Sequence, residues 1–174
     1  LNNLLSDIKG KAISLKGKYS EDMLHDAVSF EQVLIVLETD VNGLTELGSL
    51  ENYEENYLKI VELQERLNDA TAKASLKRDP TDYDALGSIN RAFEPFSNLW
   101  STTKQFQDFY TESMFGLFSD IDSENIESLV DGFFGTICKS IKIFEKQGKG
   151  VQAALSQELK QKISNFRAIV PLIV

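Results

Sequence analysis

The sequence contains one histidine and one cysteine, the side-chain types that most often bind transition metals or act as nucleophiles. His25 has no second histidine or cysteine near it in sequence, whereas a zinc site needs three or four such ligands. Cys138 lies beside the apolar positions Ile137 and Ile141, and a nucleophilic thiol needs a basic partner that this stretch does not supply. We expect no catalytic residue, no metal site and no cofactor, with His25 at the surface or half-buried and Cys138 acting as a small hydrophobic residue.

The acidic stretch DIDSENIESLVD, residues 120–131, has part of the spacing of a calcium site. Positions 1, 3, 5 and 12 of an EF-hand loop would be Asp120, Asp122, Glu124 and Asp131. Position 6 of that loop requires a glycine for its turn, and the sequence has Asn125 there. The same acids suit the first turn of a helix capped by Asp122 or Ser123, where the helix dipole favours negative charge. The helix start is the preferred interpretation, and calcium binding is the alternative.

Two further patterns resemble parts of ligand sites. The GKG sequence at 148–150 resembles half of a phosphate-binding loop, but no Ser or Thr follows the lysine and a predicted helix precedes it, so it predicts a turn. The aromatic residues between 93 and 110 could stack on bases, but 27 acidic against 18 basic residues give a net charge of −9, which disfavours a polyanion. Their helical spacing favours core packing, and neither nucleic acid nor a small-molecule substrate is predicted.

The sequence lacks the features of a secreted or membrane protein. Its single cysteine excludes an intrachain disulfide, and no Asn-x-Ser/Thr site occurs. No apolar run reaches the roughly 18 to 20 residues that span a bilayer, and the N-terminal residues form no signal-peptide core. We expect a soluble intracellular protein without a membrane partner.

Apolar residues recur at alternating steps of three and four along almost the whole chain, which is typical of α-helices. No run of strict alternation bounded by turns predicts a strand. The predicted fold class is therefore all-α, an elongated antiparallel bundle or stack of about six helices. These helices are expected over about residues 4–17, 21–47, 50–74, 81–115, 122–144 and 151–173.

Glycine and serine residues mark the first predicted helix ends. The first helix is weakened by Gly10 and ends near Gly17, and Ser20 caps the second helix. Gly48 and Ser49 then interrupt the apolar periodicity, which predicts a corner before the third helix.

The three prolines have different predicted effects. Asp79 caps the fourth helix and Pro80 takes its first position, where the missing N–H costs nothing. Pro95 lies inside that helix and would clash with the carbonyl of Arg91, so it predicts a kink or a break, with the kink preferred. Pro171 is expected to end or bend the last helix.

The predicted core is aromatic and concentrated in the second half of the chain, where rings and aliphatic side chains share the buried stripes of the helices. The residues expected to form this structural core are Phe93, Pro95, Phe96, Leu99, Trp100, Phe106, Tyr110, Phe133, Phe134, Ile137 and Phe166.

Three short motifs follow one another in the same half of the chain. An aromatic-Glu-Pro-apolar element with a Leu-Trp pair consists of Phe93, Glu94, Pro95, Phe96, Leu99 and Trp100. An Ile-Asp-x-Glu element consists of Ile121, Asp122 and Glu124. A Phe before a Pro-Leu-Ile element consists of Phe166, Pro171, Leu172 and Ile173. In type and order these motifs resemble the region of dynein heavy chains where the tail passes into the linker.

The resemblance covers about residues 88–174, whereas residues 1–80 match only as the acidic helices expected upstream. Phe106 and Phe109 stand where tryptophans are common in that family, and the Arg-His-Trp element that usually follows is not reached, which leaves the subtype open. The sequence of this region is more similar to axonemal than to cytoplasmic heavy chains. We also expect a fragment, because the chain opens without Met and its last apolar residues suit packing against further sequence: Val170, Leu172, Ile173 and Val174.

The resemblance implies a mechanical function. Residues 1–80 would be an acidic helical tail-side segment, and residues 81–174 an aromatic-rich segment at the start of the linker. In this family ATP is hydrolysed by a ring of AAA+ modules downstream, so this segment would transmit force during microtubule-based motility without being an enzyme itself.

The implied partners are the rest of the heavy chain and other dynein heavy, intermediate or light chains. The implied location is the cytoplasm and cytoskeleton, in the axoneme of a cilium or flagellum. The alternative interpretation of the helical pattern is a generic spectrin-like helical scaffold or tethering module.

Overall fold

The computed structural model describes residues 2–77, 79–116 and 123–173, except for the side chains of 2–5, 23–28, 123, 172 and 173. Within these ranges the chain forms five α-helices and two short 3-10 turns, and it contains no strand. The helices are α1 (Asn2–Gly43), α2 (Tyr53–Lys77), α3 (Pro80–Phe115), α4 (Ser123–Lys146) and α5 (Gly150–Ile173), and the 3-10 turns are Leu44–Glu46 and Leu50–Asn52. The predicted all-α class is confirmed.

Successive helices run antiparallel. Asp40 near the end of α1 pairs with Arg66 of α2 at 2.7 Å, and the ammonium of Lys77 at the end of α2 lies 5.0 Å from the ring centroid of the earlier residue Phe30. α2 ends at Lys77 and α3 begins at Pro80, and these two helices pack against each other. The same reversed order relates α3 to α4 and α4 to α5, in the pairs Phe96–Phe144, Phe106–Phe133, Glu145–Gln157 and Asp131–Arg167.

The first helix is longer than predicted. Because α1 is continuous from Asn2 to Gly43, the predicted end near Gly17 and the predicted cap at Ser20 are wrong. A glycine inside an exposed helix costs only about 1 kcal/mol relative to alanine, which is too little to end a long helix. The side chains of residues 6–22 are all exposed, so this part of α1 adds nothing to the core.

The predicted corners before α2 and α3 are confirmed. Ser49 accepts a hydrogen bond from the backbone N–H of Glu51 at 3.2 Å and caps the 3-10 turn that leads into α2. Asp79 accepts one from the N–H of Thr81 at 2.9 Å, with Pro80 as the first residue of α3. Both caps satisfy backbone donors that a helix start otherwise leaves without a partner.

Neither internal proline ends its helix. α3 is one continuous helix of 36 residues that includes Pro95, which corresponds to a length of about 54 Å. The predicted alternative of a break at Pro95 is therefore excluded. Pro95 is buried between the core residues Phe93 and Phe96, and this burial offsets the roughly 3 kcal/mol that an internal proline costs. α5 likewise continues through Pro171 to Ile173, so of the two predicted effects of this proline, an end or a bend of the helix, the end is excluded.

A left-handed glycine makes the tight turn between α4 and α5, as the GKG sequence predicts. Gly148 has φ +70°, and its N–H donates to the carbonyl of Glu145 at 3.1 Å. The next N–H, of Lys149, donates to the carbonyl of Phe144 at 2.9 Å. These two bonds form the Schellman arrangement that closes helix ends, and they place α5 directly beside α4.

Gly148→Ala is expected to lower the free energy of unfolding by about 1 kcal/mol, because a Cβ is unfavourable at a left-handed position. Gly135→Ala is the matched control: it lies in α4, has no atom within 4 Å of its Cβ position, and is expected to be neutral or to stabilise by up to about 1 kcal/mol. Urea unfolding monitored by circular dichroism measures both. Equal effects of the two substitutions would contradict the role of the turn.

Candidate functional site

Aromatic rings meet where α3, α4 and α5 come together. We call this group the aromatic junction, and it consists of Phe106, Phe109, Tyr110, Phe133 and Phe166. Phe166 of α5 lies edge-to-face against the three α3 rings, with centroid distances of 6.0, 5.5 and 5.6 Å. Phe133 of α4 lies 6.2 Å from Phe106 and 6.3 Å from Phe109. Such pairs contribute about 0.5–1.5 kcal/mol each beyond the burial of their area, so the junction holds three helices in one arrangement.

A second aromatic contact holds α3 and α4 together nearer the start of α5. Phe96 and Phe144 are edge-to-face at 5.2 Å, and both rings are fully buried. The ammonium of Lys149, in the turn before α5, lies 4.5 Å from the centroid of Phe96. Burial lowers the pKa of Lys149. α3 and α4 are therefore held together at two levels along α3, and α5 joins them at the aromatic junction.

Trp100 lies between these two levels and is the largest fully buried side chain. Its indole Nε1 is buried and has no hydrogen-bond partner among the described residues. The ring therefore acts through its shape and its apolar surface, and the N–H adds a small cost that the packing overcomes.

Most of the predicted core residues are buried. They are Phe93, Pro95, Phe96, Leu99, Trp100, Phe106, Phe133, Ile137 and Phe166. Phe134 is half-buried, and the side chains of Lys160 and Arg167 lie 5.5 and 5.8 Å from its ring centroid. Tyr110 departs from the prediction, because its ring lies at the edge of the junction and is 37% exposed.

A buried glutamine in α5 was missed by the sequence analysis. The Gln152 side chain is 2% exposed, and its Nε2 donates a hydrogen bond of 2.7 Å to the backbone carbonyl of Thr45. This bond joins the start of α5 to the 3-10 turn after α1, across 107 positions of sequence. The available signal was its spacing, since Gln152 and Ser156 are four residues apart on the face that also buries Leu155 and Leu159.

The residues considered for chemistry are not brought together. Cys138 is half-buried, and the side chain of His25 lies outside the described part. Of the calcium register, Asp120 and Asp122 lie outside the described residues, and Asp131 pairs with Arg167 of α5 at 2.9 Å. The described chain contains no group of three His, Cys, Asp or Glu side chains that could hold a metal ion. None of its described helices is long and apolar enough to cross a membrane.

Trp100→Ala is expected to lower the free energy of unfolding by about 3–5 kcal/mol, because it leaves a large cavity in the core. Trp100→Phe should cost distinctly less, since it keeps an aromatic ring and removes an N–H that has no partner. Phe115→Ala serves as the control at an 86% exposed ring, with a change within about 0.5 kcal/mol. A loss below about 1 kcal/mol for Trp100→Ala in urea unfolding would contradict the core role of Trp100.

Gln152→Ala is expected to cost about 1–2 kcal/mol, because the carbonyl of Thr45 loses its partner in a partly buried place. Gln161→Ala on the exposed face of the same helix should change stability by less than about 0.5 kcal/mol. The same urea titration measures both variants. Equal losses of unfolding free energy in the two variants would contradict a stabilising role for the bond from Gln152 to Thr45.

The comparisons with known proteins point to one family. The family model described as "Dynein heavy chain, N-terminal region 2" matches residues 86–174, about half of the chain. Dynein axonemal heavy chain 1 of Mus musculus is 25% identical over 187 aligned residues, which cover 99% of this chain and 4% of that protein. The Homo sapiens protein of the same name is 24% identical over 164 residues, covering 90% and 4%. No solved structure matches the chain.

The chain therefore spans about 4% of the length of these curated relatives. The family match begins at Leu86 in α3 and includes all of α4, all of α5 and the whole aromatic junction. The resemblance that the three motifs predicted is confirmed by this match and by the relatives that extend it over most of the chain. The chain belongs to the dynein heavy chain family.

Proposed function

We propose that this chain is a non-catalytic structural segment of a dynein heavy chain, linking the tail to the linker and transmitting force from the ATP-driven AAA+ ring during microtubule-based motility. The observation that carries the proposal is the aromatic junction, which lies wholly within the family match and joins three helices. A segment that transmits force must resist rearrangement of its helices, and close-packed rings on three helices provide that resistance.

The packing of α3 supports a connecting role. α3 contacts α1 and α2, which precede it in the sequence, and it also contacts α4 and α5, which follow it. Its first residues lie before the start of the family match at Leu86, and the rest lie within it. A displacement of α4 and α5 would therefore pass through one continuous helix to α1 and α2.

The same proposal divides the chain into two parts. Residues 1–80, with α1 and α2, form the acidic tail-side segment, and residues 81–174 form the start of the linker. The partners are the rest of the heavy chain together with other dynein heavy, intermediate or light chains. The relatives are named axonemal heavy chains, which supports a location in the axoneme of a cilium or flagellum.

The experiment introduces Phe166→Leu into a full-length heavy chain that contains this segment. This substitution keeps an apolar side chain but removes the ring that contacts three α3 rings, so a moderate loss of about 1–1.5 kcal/mol is expected. We expect slower microtubule gliding while ATP hydrolysis by the ring continues, because force reaches the tail through a softer segment.

Phe115→Leu is the matched control, since the same chemical change occurs at an 86% exposed ring and should alter neither gliding nor hydrolysis. Hydrogen exchange on the purified variant verifies that Phe166→Leu loosens α5. Unchanged gliding velocity in a variant whose α5 is loosened would contradict the proposed force transmission.

A further inference from the structure

An open groove of about 230 Å³ runs between α1 and α3. Its apolar floor is formed by Leu34, Ile35 and Val41 of α1 and by Ile89 and Ala92 of α3. Ile35 is 57% exposed, although the neighbouring floor residues Val41 and Ile89 are buried. The groove is therefore an apolar surface that the chain itself leaves partly uncovered.

No helix of the described chain lies over this groove. α1 and α3 both run antiparallel to α2, so they are parallel to each other. Asp40 of α1, which pairs with Arg66 of α2, does not line the groove, and no α2 residue lines it. Small side chains on the α3 wall, Ala85, Ser88 and Ala92, leave room for another backbone to approach closely.

The charged residues that line the groove are both acidic. Glu31 and Glu38 lie seven positions apart on α1, which places them on one face two turns apart. Both are exposed, and neither forms an ion pair with any side chain that the structure describes. Arg91 is the nearby cation on α3, and it does not line the groove but donates to the hydroxyl of Ser88 at 3.1 Å.

The shape and charge together define the chemistry of an occupant. An apolar floor between two parallel helices suits the apolar face of a third helix. Two glutamates that form no ion pair with a described side chain, on a chain of net charge −9, favour lysine or arginine at the edge of that helix. The same negative charge disfavours a second copy of this chain as the occupant.

We propose that the groove between α1 and α3 binds a basic amphipathic helix of a partner polypeptide, with apolar residues against Ile35 and Ile89 and with lysine or arginine beside Glu31 and Glu38. This site lies on residues before and at the start of the family match, so it is separate from the aromatic junction.

The test measures binding of a designed 18-residue amphipathic peptide that has a leucine face flanked by lysines, using fluorescence anisotropy with the unaltered 174-residue chain. A second peptide with glutamates in place of the lysines should not bind. Glu31→Gln with Glu38→Gln should weaken binding about threefold to tenfold, because two exposed ion pairs are lost. Ile35→Ser should weaken it about tenfold by removing apolar contact.

Matched variants separate a specific site from general attraction to an acidic protein. Glu62→Gln with Asp69→Asn changes the net charge equally, at exposed acids with the same spacing on α2, and should leave affinity unchanged. Val36→Ser alters a 49% exposed residue of α1 that does not line the groove, and it should also have no effect. Equal weakening of peptide binding by the groove variants and the control variants would overturn the proposal. A lysine peptide that does not bind would also overturn it. Self-association of the chain that Ile35→Ser abolishes would overturn it as well, because the occupant would then be a second copy.

Discussion

The packing of α3 against α1, α2, α4 and α5 is the constraint on which the rest of the structure depends. This helix buries a continuous stripe of rings and aliphatic side chains, with Trp100 at its centre. Because that stripe extends on both sides of Pro95, tertiary packing holds the helix together where its own backbone is weakest. The arrangement of α1 and α2 relative to α4 and α5 follows from their shared contact with α3.

A small number of polar contacts fixes how the halves of the chain meet. Apolar packing is not directional, and a buried hydrogen bond adds a required direction and distance to it. The bond from Gln152 to Thr45 fixes the start of α5 against the end of α1, and the bond from Asn56 to the carbonyl of Ser49 fixes the corner before α2. The Gly148 turn then sets α5 antiparallel to α4 without a longer loop.

The sequence predicted the features that depend on local chemistry, such as the helical periodicity, the Asp79–Pro80 cap and the GKG turn. It failed where the outcome depends on competing free energies or on distant partners. Gly17 suggested a helix end, but a cost of about 1 kcal/mol does not break α1. The exposure of Tyr110 and the partner of Gln152 depend on which helices lie beside them, and periodicity alone does not specify the neighbours. Periodicity also did not predict the groove at Ile35, because the groove results from the spacing of α1 and α3.

Native-state hydrogen exchange resolved by residue tests most directly whether α3, α4 and α5 form one mechanical unit. If the aromatic junction and the Phe96–Phe144 contact join these helices, their central amides will exchange through a single opening with the same free energy. Amides on both sides of Pro95 in α3 will belong to that same opening. Separate opening of α5 from α3 at markedly lower free energy would contradict a stiff, continuous segment.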